Sequence, residues 1–154
     1  MAETLQKLQL VSFELGGQLF GAPITKIQEI IKYPNVVKVP RAPDFIEGII
    51  NLRGRVIPVI DLKKRFGMES STDKSKGRII VCEISGAKAG LEVDSVSRVL
   101  RIEAADFEKA PAIVSNVSER FISGVVKSKD SMLIVLELEN ILSSEEIELL
   151  KKVE

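Results

Sequence analysis

The sequence predicts a mainly β protein of small barrels, built twice from related halves. Three observations predict it. Short runs of alternating or wholly apolar residues recur between turn signals, two blocks of sequence repeat without a gap, and the one strong helix signal lies at the C-terminus.

Leu8 to Leu15 reads as a half-buried strand, with Leu8, Leu10, Val11, Phe13 and Leu15 at near-alternating positions. Gly16-Gly17 supplies a hairpin turn, and Gln18 to Ala22 returns. Pro23 stands where a first helical position would be, with Ile24, Ile27 and Ile31 on one helical face, so a short helical element is expected that runs on into extended chain before Pro34. Ile46 to Leu52, a turn at Arg53-Gly54, and Arg55 to Ile60 form a second hairpin. Pro58 cannot donate to a ladder, which predicts an edge or a bulge there. Asp61 caps a turn of helix over Leu62 to Phe66. The polar stretch Met68 to Ser75 reads as a link. Arg78 to Ile84 and Lys88 to Val93 then flank Gly86 as a hairpin, with Asp94 as a candidate N-cap. Ser143 and Glu146 make a capping box ahead of Ile147, Leu150 and Val153, predicting a final helix over 143–153.

The repeat ties these elements together. Phe45 to Phe66 aligns without a gap on Phe121 to Leu142, matching Gly48 with Gly124, Ile49-Ile50 with Val125-Val126, and Val59-Ile60 with Val135-Leu136. Upstream, Phe13 to Ile31 aligns on Cys82 to Leu100, matching Gly17 with Gly86, Gly21 with Gly90, and Ile27 with Val96. Only the spacer between the blocks changes, from 13 residues (Lys32 to Asp44) to 20 (Arg101 to Arg120). The approximate halves are 10–68 and 77–142. Each is marginal in size for independent stability, so they should share a core and leave a groove where they meet.

Composition narrows the function. The 22 basic and 22 acidic residues cancel, so the chain lacks the basic footprint of a general nucleic-acid binder. Histidine is absent and Cys82 is the only cysteine, which removes His/Cys metal sites, His-based triads and internal disulfides. Cys82, in the run Ile79-Ile80-Val81-Cys82, reads as a small buried hydrophobe. No nucleotide-binding glycine loop is present. The carboxylates Asp61 and Glu137 are repeat mates, as are Glu14 and Glu83, which predicts repeated structural roles rather than one acid/base pair. The expectation is a protein that is not an enzyme and holds no metal or cofactor. No signal peptide and no membrane-spanning run is read from the sequence.

One place breaks the repeat. Asn51-Leu52-Arg53-Gly54 aligns on Lys127-Ser128-Lys129-Asp130, so the turn carries more than a hairpin needs. A planar, five-donor arginine on a stiff hairpin beside an apolar Leu52 is a candidate interface anchor, with ordinary surface arginine as the alternative.

The stretch from Phe45 to Leu62, with Asn51-Leu52-Arg53-Gly54 followed by Pro58 and Asp61-Leu62, resembles the signature of the CheW-like domain. The resemblance extends to Phe20-Gly21, to Ile27-Gln28-Glu29-Ile30 and to Gly90-Leu91-Glu92-Val93-Asp94, and spans about residues 9–150 as one domain. It implies two SH3-like, five-stranded barrels around a shared core. It also implies a stand-alone cytoplasmic adaptor of a chemotaxis two-component system, recruited to receptor arrays at the inner membrane. Such adaptors couple the cytoplasmic tip of methyl-accepting receptors to the regulatory domain of the histidine kinase CheA. The receptor positions it implies are Ile27 and Glu29 on one wall of the inter-barrel groove, with Gly48, Asn51, Leu52 and Arg53 nearby. The kinase positions are Tyr33, Val36, Val37 and Val39 in the first half and Glu108 and Ile113 in the longer spacer. Assembly into rings with CheA is left open. The rival reading is a small β-barrel that binds nucleic acid. It needs a basic groove with stacking aromatics, and this chain has no tryptophan and one tyrosine.

Overall fold

The computed structural model describes residues 8–69, 75–109, 119–127 and 132–153. The first half supplies β1 (Leu8–Leu15), β2 (Gln18–Pro23), β3 (Ile27–Lys32), β4 (Ile46–Leu52), β5 (Arg55–Asp61) and the short helix α1 (Leu62–Arg65). The second supplies β6 (Arg78–Ile84), β7 (Ala87–Val93), β8 (Ser95–Ile102), β9 (Phe107–Glu108), β10 (Ile122–Lys127), β11 (Met132–Leu136) and the C-terminal helix α2 (Ser144–Val153). These strands form two sheets, ordered β8-β1-β2-β11-β10-β9 and β3-β6-β7-β5-β4.

The mainly β, two-barrel architecture is as the sequence predicts, but the sheets do not follow the halves 10–68 and 77–142. Each half gives its first hairpin to the other half's sheet. β2 joins β11 through a parallel ladder (Ile134↔Phe20, Val135↔Gly21), and β7 joins β5 the same way (Val59↔Gly90, Ile60↔Leu91). The physical reason is burial. The exchanged hairpins bring Phe13, Leu15 and Phe20 from one half against Cys82, Ile84 and Leu91 from the other, in one core that neither half builds alone.

Ladder register confirms the repeat at residue level. Phe13↔Val96 has its mate in Cys82↔Ile27, and Val135↔Gly21 in Val59↔Gly90. The irregularity at Ile46/Gly48 recurs at Ile122/Gly124. Asp61 N donates to Phe45 O (2.7 Å), as Glu137 N does to Phe121 O (2.8 Å).

Each sheet also curls around a small interior of its own. In the six-stranded sheet, Leu100 and Ile102 of the edge strand β8 share a cluster with Phe107 of the opposite edge β9. In the five-stranded sheet, Ile31 of edge β3 shares a cluster with Ile50 of edge β4. Edges that meet through their side chains define a barrel.

Four local expectations are corrected. Ile24–Lys26 is a single 3-10 turn, and the extended chain expected before Pro34 already begins at Ile27, so Ile27 and Ile31 lie on strand rather than helix. The isoleucines of this run suit either period over so short a span, and the antiparallel ladder with β6 decides it. Pro58 lies in β5, which is interior to its sheet; its ladder with β7 starts only at Val59, so the missing donor falls outside it. Asp94 caps no helix: its carboxylate accepts from Gly16 N (2.8 Å) and pairs with Lys63 (2.8 Å). Glu137 makes no side-chain cap, whereas its mate Asp61 accepts from Lys64 N (3.2 Å).

At the C-terminus the capping box forms as expected, with Glu146 N donating to Ser143 Oγ (3.1 Å) and Ser143 N to Glu146 Oε1 (2.8 Å). Arg65 then clamps α2 to the body. Its Nη atoms donate to both Glu146 oxygens (3.0 and 2.7 Å), its Nε to Ile141 O (2.8 Å), and its guanidinium stacks over Phe45 at 4.4 Å. No helix among the described residues is long and apolar enough to cross a membrane.

Candidate functional site

The β4–β5 hairpin turns through two left-handed residues, Arg53 (φ 54°) and Gly54 (φ 85°), as a two-residue hairpin of matching twist requires. Asn51 secures it, its Oδ1 accepting from Gly54 N at 2.9 Å. The turn projects Arg53 toward β3, the other edge of the barrel. There both Nη atoms donate to the two Glu29 oxygens, each at 2.8 Å. This two-point pair closes one end of the barrel. The arginine nevertheless stays 76% exposed, against 24% for the glutamate. Beneath the pair is a cavity of about 520 Å³ lined by Gln28, Leu52, Arg55, Ile57, Val81 and Lys88. Leu52, which would be exposed on a bare turn, packs against the barrel interior.

The structure therefore brings Glu29, Asn51, Leu52 and Arg53 together at the mouth of the first barrel. It places Ile27 elsewhere. Ile27 pairs with Cys82 and packs against the shared core, while Glu29, past the irregularity in the ladder, pairs with Val81 of the barrel interior. Gly48 lies mid-strand, where an added Cβ would collide with Val37 O and come within 2.7 Å of Val36 Cγ1.

Val37 forms a two-way backbone bridge with Ile49 (2.9 and 2.8 Å) yet leaves its side chain 62% exposed. Val36 packs into the first barrel. Glu108 holds the corresponding place in the second half, pairing with Val125, the mate of Ile49, and its carboxylate meets Lys127 at 3.3 Å. Val39 lines a separate cavity of about 470 Å³ between the first spacer and α2. Ile113 lies outside the described residues.

Tyr33 belongs to a polar cluster that sequence reasoning missed. Its hydroxyl donates to Glu47 Oε1 (3.4 Å), and carboxylate oxygens of Glu47, Asp61 and Glu92 lie within 4.8 Å of one another. Asp61 and Glu92 are neighbours in the parallel ladder. Burial pushes the Tyr33 phenol well above its ordinary range, and the charges of Glu92 and Glu47 push it further. Cys82 is fully buried as expected; burial, then Glu139, pushes its thiol up to about 12.

The repeat also marks four apolar residues at the rim of the shared core. Ile27 and Val96 pack against it, and their neighbours Ile30 and Val99 remain 37% and 51% exposed. The alignment matches Ile30 with Val99, a signal readable in the sequence.

A paired-barrel module with an exposed, pre-positioned arginine and apolar rim residues carries groups of the kind that anchor protein interfaces. The CheW-like domain model matches residues 9–146, and the chain belongs to that family. It is 35% identical over 152 residues to a chemotaxis protein CheW of Treponema pallidum, covering 96% of this chain and 89% of the relative. With CheW of Thermotoga maritima it shares 33% over 145 residues, covering 92% of each. The crystal structure of the scaffolding protein TtCheW from Thermoanaerobacter tengcongensis superposes with a TM-score of 0.84 at 40% identity, covering 90% of this chain and 96% of that one. The family is one of non-catalytic chemotaxis adaptors, and the chain is a member of it.

Proposed function

We propose that this chain couples methyl-accepting chemoreceptors to the histidine kinase CheA in the cytoplasm, within arrays at the inner membrane. The observation that carries the reading is the Arg53–Glu29 pair. A guanidinium held at two points on a tight turn loses little freedom on binding, and its exposure leaves donors for a partner. The receptor tip docks on Arg53 and Leu52 together with the apolar rim residues Ile27, Ile30, Val96 and Val99, within a single domain spanning about residues 9–150. The regulatory domain of CheA docks on the Tyr33 to Val39 segment, through Val37 above all, and on the segment that starts at Glu108. Two such kinase surfaces, one per half, leave room for ring assembly.

The test is co-sedimentation of the chain with a receptor cytoplasmic fragment and, separately, with the CheA regulatory domain. Arg53→Ala is expected to weaken the receptor complex about tenfold. Val37→Asp is expected to weaken the kinase complex by a similar factor and leave the receptor complex intact. If both variants bind both partners like the parent chain, the assigned surfaces are wrong.

A further inference from the structure

The repeat gives the first barrel's mouth a counterpart. A cavity of about 390 Å³ opens at the end of the second barrel. Its lining includes Ser97, Arg98, Ser12 and Leu133, the repeat mates of Gln28, Glu29, Val81 and Ile57 at the first mouth. Part of the lining is repeated, and the charge at one matched position is reversed. Where the first barrel has Glu29, the second has Arg98, with Arg101 beside it in the lining. By sequence, the residue matching Arg53 is Lys129, which lies outside the described residues.

Arg98 is also fixed from below. The Oγ of Ser12, a buried side chain, donates to Arg98 O (2.9 Å) and accepts from Arg98 N (3.2 Å). These bonds bridge the break in the β1–β8 ladder between Val11 and Phe13 and hold the backbone from which the guanidinium projects. Arg98 and Arg101 are both exposed, and neither side chain pairs with a carboxylate among the described residues. Lys127 at the same mouth is already matched by Glu108.

We propose that this mouth is a docking site for an acidic, partly apolar segment of a partner protein, whose carboxylate binds Arg98 and Arg101. It supplies from outside the charge that Glu29 supplies within the first barrel. The lining selects this occupant. Leu19, Leu100, Ile102 and Leu133 offer apolar contact beside the arginines, which suits a peptide side chain. Glu14 and Asp106 also line the mouth, which leaves the arginines room for a single carboxylate but disfavours a run of negative charges, and no aromatic residue of the lining offers a base a surface to stack on. The site is separate from the Arg53 surface and stands or falls independently of it.

The experiment is an NMR titration of the isotope-labelled full chain with a synthetic peptide of glutamate and leucine. Parallel arms use the same peptide with lysine for glutamate, inorganic phosphate, and a single-stranded oligonucleotide. Saturable shifts are expected at Ser12, Arg98, Arg101 and Leu133 with the acidic peptide alone. Arg98→Glu is expected to weaken that binding about tenfold and to gain binding of the lysine peptide, whereas Arg53→Ala leaves both unchanged. Since Arg98 is exposed, the variant's preserved amide spectrum shows that it folds. Absence of saturable shifts, equal binding of both peptides by the parent chain, equal binding of phosphate or oligonucleotide at these residues, or insensitivity to Arg98→Glu overturns the proposal.

Discussion

Arg53 owes its position to its neighbours and its availability to the turn that carries it. The left-handed turn and the Asn51 bond to Gly54 set the hairpin tip, and Glu29 then fixes the guanidinium across the barrel mouth. An ion pair this exposed contributes little to stability, so Arg53→Ala is expected to move the thermal midpoint by less than about 3 °C even where it weakens binding. Calorimetry checks that separation; a large drop would make Arg53 structural. Tyr33 gives a second prediction at this scale, and as the only tyrosine it has a clean readout. Its phenol is raised above 10.0 in the folded state, so the stabilisation is present below that value and lost as pH rises through the folded one. Ultraviolet titration should show phenolate forming near 10 in urea but well above it in the native chain; coincident curves would contradict the described burial. The same sign holds for Cys82, whose thiol should resist alkylation at neutral pH until the chain unfolds. The break in the repeat singles out Arg53 in the sequence, and the structure pairs it with Glu29. The Tyr33 cluster was not, because Glu47, Asp61 and Glu92 meet only through barrel closure and the parallel β5–β7 ladder.

Elements were legible in proportion to their turn chemistry. The hairpins about Gly17, Gly54 and Gly86 and the helix after Ser143 fall where turn glycines and a capping box put them. The start of β3 is not legible in this way, because three isoleucines at helical spacing also suit a strand, and only pairing with β6 shows that extended chain begins at Ile27. Gly48 has a role that pattern alone did not reveal. It lets Val36 and Val37 lie directly on β4, so Gly48→Ala is expected to cost roughly 1–3 kcal/mol by urea denaturation. It should weaken CheA binding by displacing that segment; unchanged stability would mean that the spacer moves aside freely. α2 depends on Arg65, whose contacts reach Glu146, Ile141 and Phe45 in a partly buried setting. Arg65→Ala is expected to destabilise by roughly 3 kcal/mol and to raise amide exchange in α2. Unchanged exchange there would show that the apolar contacts of Ile147 and Leu150 suffice.

At the scale of the whole molecule, the exchanged hairpins make the two halves one cooperative unit. The repeat predicted two barrels and a shared core, but alignment carries no information about which half's strand a hairpin will join. That is settled by burial, since Phe13, Phe20 and Phe66 of the first half continue in series to Phe121 of the second only when both contribute to one core. Once folded, the exchange sets two related mouths and two related edge surfaces around one shared core, an arrangement fit for holding several partners together. The most direct test of that role mixes receptor-bearing membranes, CheA and this chain, and measures how much CheA sediments. CheA is expected to sediment with the membranes only when the chain is present, and to be lost again with Arg53→Ala. Equal sedimentation without the chain, or undiminished recruitment by Arg53→Ala, would contradict the coupling proposed for it.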